Sequence, residues 1–224
     1  QASVGILPLL PIHQTFFSDE VDLHHFNQAV LLGCREPLSE AFLHQVIATL
    51  VAQHDALRLR FIADDVSWHG EFIPVTEYDL SQVLILSSVE DFRHIPEIVD
   101  KIQPSLDLTK GPLFRIVVFT NPAQQQRLFI VCHHLIIDGV SWRILLEDIE
   151  LCLTQSLQST PDSVFALGPK TTSFQQWCQY LEQWPDSAER AAEITYWQRR
   201  LQIQVPEYGL ASDQCAYVSP EYVD

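Results

Sequence analysis

The sequence predicts an α/β chain, an α+β sandwich with a mixed, largely antiparallel sheet and helices packed on it. Three observations predict it. Short apolar runs rich in β-branched and aromatic residues are bounded by polar turns, as where Thr120–Gln126 joins Leu113–Phe119 to Leu128–Cys132, the signature of an antiparallel hairpin. Other stretches, such as Ser39–Val51, repeat apolar residues at helical spacing. Strand and helix runs do not alternate strictly, so the sheet is expected to mix directions rather than run all parallel.

The bulk composition narrows the class. With 224 residues, 47% of them hydrophobic and 19% charged, the chain can bury a core as one large domain or two small ones. A net charge of −16 argues against nucleic acid or an anionic membrane as partner. No apolar run approaches the ~20 residues that span a bilayer, and the opening QASVGILPLL has no basic n-region of a secretory signal. The five cysteines, at 34, 132, 152, 178 and 215, include no CxxC pair and read as reduced thiols in a cytoplasmic protein.

In chain order, Leu7–Phe17 is apolar and punctuated by proline. His24 and His25 precede a strand over Ala29–Leu32 and read as solvated or packing residues. Ser39 is placed to cap a helix whose stripe is Leu43, Val46, Ile47, Leu50 and Val51. Leu57, Leu59 and Phe61 then alternate as a half-buried strand; by that alternation alone, Arg58 falls on its solvent face. Asp64–Gly70 reads as a polar turn, Glu71–Val75 and Val83–Leu86 as strands, and Pro96–Gln103 as a helix with proline in its first turn. Gly111-Pro112 is a turn into Leu113–Phe119. Gln155–Leu167 reads as a polar linker. Phe174, Trp177, Leu181 and Trp184 form a stripe on a helix capped by Thr172 or Ser173, and Ser187 opens another helix with Ile194, Trp197 and Leu201 inside. These aromatics are expected in the core. Residues 206–224 carry no usable periodicity, and the chain has neither internal repeats nor a phosphate-cradling glycine loop.

The chemistry concentrates in Arg127–Ile149, RLFIVCHHLIIDGVSWRILLEDI. A buried strand, Leu128–Cys132, delivers His133 and His134 to its end, and an Asp138-Gly139 turn leads into a helix with Trp142, Leu145, Leu146, Ile149 and Leu153 on one stripe. Consecutive strand residues face opposite ways, so the two histidines are not expected to share one task or one metal ion. Asp138 before the helix reads as an N-cap, a role that does not exclude orienting the histidine loop. An imidazole at such a strand end is suited to proton transfer near neutral pH.

The run HHLIIDG at 133–139 resembles the HHxxxDG signature of the condensation-domain superfamily of nonribosomal peptide synthetases. That superfamily is similar in fold to chloramphenicol acetyltransferase. The continuation Val140–Asp148, the segment VDLHHFNQAVLL and the segment PKTTSFQQW resemble its epimerization branch. LPLLPIHQTFF, QHDALRLRF and SLDLTKGPLF resemble further motifs of the superfamily, with His13 and Gln53 departing from the common residues.

The resemblance implies specific roles. His134 is the working acid/base, His133 is structural, and Asp138 organises the loop. Gly139 allows close approach of backbone or substrate, and Ser141 and Trp142 line a substrate tunnel. Arg58 is expected to pair with Asp138 and support the loop. Residues 1–224 are expected to be a single domain, the N-terminal lobe of a two-lobed enzyme whose C-terminal lobe is absent. The start at Gln1 without a methionine and the stop at Asp224 read as an excised piece. The implied reaction is L-to-D epimerization of an aminoacyl or peptidyl thioester carried on the 4′-phosphopantetheine of a peptidyl carrier protein, beside neighbouring synthetase modules. The second proton-transfer group would come from a glutamate of the missing lobe. Against so acidic a chain, an acidic carrier would need a local basic patch such as Arg143, Arg199 or Arg200. A condensation-type acyltransferase and a catalytically silent docking module are the alternatives.

Overall fold

The computed structural model describes residues 2–18, 23–64, 67–158, 164–184 and 188–202. In chain order the elements are β1 Gly5–Leu7, α1 Pro11–Ser18, β2 Asn27–Gly33, α2 Glu40–Gln53, β3 Leu59–Ala63, β4 Trp68–Phe72, β5 Leu84–Ser88, α3 Ile95–Ile102, β6 Phe114–Thr120, β7 Gln126–His133, α4 Gly139–Gln158, α5 Phe174–Gln183 and α6 Ala188–Leu201. They divide into two units, Gln1–Glu182 and Gln183–Asp224.

In the first unit, four strands form a sheet in the order β2-β7-β6-β5, and three form a second sheet in the order β1-β4-β3. Every pairing is antiparallel except β5 with β6. The mixed, largely antiparallel α/β class read from the sequence is the class observed. β6 and β7 sit in the middle of the larger sheet, and both of their faces are covered. Leu128, Ile130, Cys132, Ile116 and Val118 belong to the main core with α2 and α4, whereas Phe129, Val131, Val117 and Phe119 pack with Ile95 and Ile102 of α3. A strand buried on both faces has no polar positions to alternate, which is why Leu128–Cys132 is uninterruptedly apolar. Each fully buried Leu, Ile or Phe contributes about 1.5–3 kcal/mol, so these two strands give the site a stiff support.

Helix α2 begins where Ser39 accepts the amide of Phe42, and it buries Leu43, Val46, Ile47, Leu50 and Val51. Where β1 meets β4, a Cβ on Gly70 would lie 3.0 Å from that of the buried Leu7, a close approach that favours glycine there.

Several boundaries differ from the sequence reading. Strand β4 starts at Trp68 rather than Glu71, because its pairing with β3 reaches back to Ala63 opposite Trp68. The expected linker at Gln155 is helical to Gln158. Residues 159–163 lie outside the described residues. Past them, Phe165 is buried edge-to-face on Phe42, and the Gln155 side chain bonds both the amide and the carbonyl of Ala166. That segment is a docked strap.

In α5, capped by the Ser173 hydroxyl at the amide of Gln176, Cys178 is fully buried while Trp177 is half exposed and stacks on the exposed Tyr180. The expectation that Trp177 lies in the core is corrected. In the second unit, α6 leaves Ile194, Trp197 and Leu201 exposed, which corrects the same expectation there; Ser187 and residues 206–224 lie outside the described residues. Among the described residues no helix is long and apolar enough to cross a membrane.

Candidate active site

The site forms where β7 ends beside the start of β2. Their antiparallel register puts Asn27 opposite His133 and Gln28 opposite Cys132. One residue later the chain turns, and the amide of His134 bonds the carbonyl of Phe26 at 2.7 Å. The paired histidines therefore enter different surroundings, as strand geometry requires.

His133 is fully buried. Its Nε2–H donates to the Leu23 carbonyl at 2.7 Å, and its Nδ1 accepts the amide of Leu135 at 3.2 Å. An amide N–H can only donate, so Nδ1 carries no proton and the ring is held neutral. Burial pushes its pKa down to about 4. A ring with both nitrogens committed to backbone cannot turn to a substrate.

His134 is half-buried, and its ring stacks on Phe26 with centroids 4.8 Å apart and 17° between planes. Nδ1 lies 2.9 Å from the Ile137 carbonyl, and Nε2 lies 2.8 Å from Nε2 of Gln28. The Gln28 amide oxygen in turn accepts the indole N–H of Trp142 at 2.9 Å. Sequence reasoning singled out His134 and Trp142 but missed Gln28 and Phe26. The only signal for those two was their place in the family-like HHFNQ segment; the order of residues does not reveal that β2 runs beside the histidine turn.

Asp138 is exposed at the head of α4. Its Oδ1 accepts both the amide and the hydroxyl of Ser141, each at 2.7 Å. The Ser141 side chain and amide bonds hold its carboxyl below the usual carboxylate range. The geometry shows the helix cap.

The expected Arg58–Asp138 ion pair does not form. Arg58 is fully buried, and its guanidinium is used up by Asp55 Oδ1 at 2.6 Å and by the carbonyls of Val51, Ser3 and Ile73. Asp55 also bonds the Ser3 amide at 2.9 Å and Lys170 Nζ at 2.6 Å. The reason is desolvation. A buried guanidinium is matched by a carboxylate on its own turn, whereas Asp138 would have to leave solvent and its cap to reach it. The solvent-face reading of Arg58 also fails, because it precedes β3 on a 3-10 turn.

Gly139 has no positive φ, and a Cβ there would meet nothing within 4 Å. Among the described residues no protein backbone approaches it, which corrects that half of the expectation and leaves open space beside the histidine turn. Ser141 lines a small cavity of about 120 Å³ with His54, Ile136, Ile137 and Leu145. His54 Nε2 lies 2.8 Å from Asp148 Oδ2. Trp142, half-buried, spends its N–H on Gln28.

The chain is similar to several characterised proteins. It is 44% identical to one of the linear gramicidin synthase proteins of Brevibacillus parabrevis, over 86% of this chain and 4% of that protein. It is 30% identical to tyrocidine synthase 1 of the same organism over 93% of this chain and 19% of that protein. The solved epimerization domain from the third module of tyrocidine synthetase B superposes with a TM-score of 0.82 at 31% identity, over 91% of this chain and 46% of that one. The starter condensation domain of rhizomide synthetase shares the fold, with a TM-score of 0.69 at 18% identity over 89% of this chain and 48% of that one. The chain thus spans under half of each solved domain and a small part of each synthetase. The condensation domain model matches residues 5–224, and the chain belongs to the condensation domain family of nonribosomal peptide synthetases.

Proposed function

We propose that residues 1–224 are the N-terminal lobe of an epimerization domain that inverts the α-carbon of an aminoacyl or peptidyl thioester, with His134 as acid/base. The observation that carries this reading is the similarity to a solved epimerization domain at 31% identity and a TM-score of 0.82, together with a histidine whose Nε2 lone pair faces away from its Nδ1 anchor. The substrate would arrive on the 4′-phosphopantetheine of a peptidyl carrier protein in the cytoplasm, handed over by neighbouring synthetase modules.

The chemistry follows from the ring's bonds. With Nδ1–H on the Ile137 carbonyl, Nε2 is the atom that can accept a proton. The α-C–H bond breaks, its electron pair passes to the thioester oxygen as an enolate, and the proton forms Nε2–H. The imidazolium so made keeps Nδ1–H on a fixed acceptor. A group from a C-terminal lobe would return a proton to the other face of the carbon. The condensation reading keeps the same histidine beside an attacking amine, and the match to the condensation domain model is common to both readings.

Solvent deuterium wash-in separates the two. A synthetase chain carrying the whole domain, loaded with a carrier-tethered peptidyl thioester, is compared with its His134→Ala variant. Wash-in at the α-carbon that needs no acceptor and falls on the order of 10²–10⁴-fold in the variant supports epimerization. Amide formation on adding an acceptor carrier, without wash-in, replaces it with condensation. Silence in both leaves a docking module.

A further inference from the structure

Four groups form a hydrogen-bonded chain with no freedom in its proton positions. The Trp142 indole can only donate, so the Gln28 atom facing it is the amide oxygen. The Gln28 NH2 therefore faces His134, and because it too can only donate, Nε2 of His134 carries a lone pair. The remaining ring proton sits on Nδ1, where the Ile137 carbonyl, an acceptor only, receives it. No other arrangement satisfies both ends. Phe26 fixes the plane of the ring by stacking.

We propose that Gln28, held by Trp142, is a positioning residue that fixes His134 with Nε2 as its proton acceptor and that yields this lone pair to the substrate's α-C–H. The inference rests on the epimerization reading for the identity of the C–H. A pyridine-type nitrogen has one in-plane lone pair, and at 2.8 Å the Gln28 amide fills it, so amide and substrate cannot occupy it together. Gln28 is able to give way because Trp142 holds only its oxygen, so the NH2 can swing about that bond while the indole stays satisfied. In the resting site the tautomer is set and the base is covered; in the working site Nε2 is bare toward the thioester.

The discriminating change is Gln28→Glu, which replaces one nitrogen by oxygen. A carboxylate still accepts the Trp142 N–H, but it can only accept from His134, so Nε2 must take up a second proton to bond it. Every hydrogen bond survives, and a purely structural glutamine would be replaced without loss. We expect a domain of unchanged melting temperature whose wash-in rate falls at least about 100-fold, the lower end of what a general base supplies. Its ¹⁵N-histidine spectrum, with His134 assigned by difference from His134→Ala, should show both ring nitrogens protonated at neutral pH, where the unsubstituted domain shows Nδ1–H alone. If the variant does not fold, Trp142→Phe serves. It frees the Gln28 amide to turn over, and the spectrum should then show a mixture of Nδ1–H and Nε2–H.

Gln28→Glu that washes in deuterium at the unsubstituted rate overturns the proposal, as does an unsubstituted His134 with its proton on Nε2, or a Trp142→Phe spectrum that stays Nδ1–H alone. The two readings fail separately. An unsubstituted domain without wash-in sinks epimerization, while the ¹⁵N spectra still decide whether Gln28 sets the tautomer.

Discussion

Two polar clusters of this chain are built in opposite ways. Asp55, Arg58 and Lys170 make an ionic knot, with Arg58 fully buried and Asp55 nearly so. Burial alone would raise the Asp55 carboxyl, but Lys170 and Ser3 outweigh it and hold it below the usual carboxylate range. The knot ties together the segment before β1, the turn before β3 and the segment before α5. Among the described residues the histidine cluster contains no ion pair: His133 is kept neutral by burial, and His134 is tied to an amide, a carbonyl and a stacked ring. The difference teaches which parts must never change and which must. A buried ion pair is costly to break from one side, so it suits a scaffold. Neutral hydrogen bonds of about 1 kcal/mol each can be exchanged during a reaction.

The largest expected effect breaks the knot. Arg58→Met leaves Asp55 partly uncompensated and should destabilise the fold by about 3–5 kcal/mol in urea unfolding, while the ¹⁵N signals of His134 stay in place in what remains folded. Moved His134 signals would join the two clusters into one.

Acid tests the neutral cluster next. The folded-state pKa of His133, about 4, lies below the ordinary 6.5, so as pH falls the unfolded chain takes up its proton first. The stabilisation is complete above pH 6.5 and drains away toward pH 4, by roughly 3 kcal/mol from linkage. His13, also held down by burial, acts in the same direction. Unfolding midpoints measured from pH 7 down to about 4.5 should fall steadily, and His133→Asn should flatten most of that slope. The knot adds its own loss only at lower pH, because Asp55 titrates below the ordinary carboxylate range.

The smallest effect separates the two clusters directly. Asp138→Ala removes the cap on α4 and should cost about 1 kcal/mol. In a double-mutant cycle with Arg58→Met, the coupling should stay under about 0.5 kcal/mol. A coupling of several kcal/mol would restore the ion pair that the geometry denies.

The legible parts of this protein were those written in local pattern. The Ser39 cap, the α2 stripe, the 120–126 hairpin and the doubly buried β7 follow from spacing and side-chain type. HHxxxDG marked the candidate site, and strand geometry assigned His133 and His134 to different surroundings. The partners of Arg58 were not legible, because the sequence offers two carboxylates and only packing says which one shares its buried turn. Gln28 was not legible either, since nothing in its own segment says that Trp142, 114 positions away, will stand beside it.

By itself, then, the sequence determined the elements, the class of sheet and the atoms able to move a proton, because propensity, periodicity and side-chain chemistry are local properties. The tertiary structure alone decided which nitrogen of His134 carries the lone pair, which carboxylate balances Arg58 and that Asp138 is a cap. Those depend on desolvation and on donors and acceptors brought together across the sheet, and only the folded chain sets such distances.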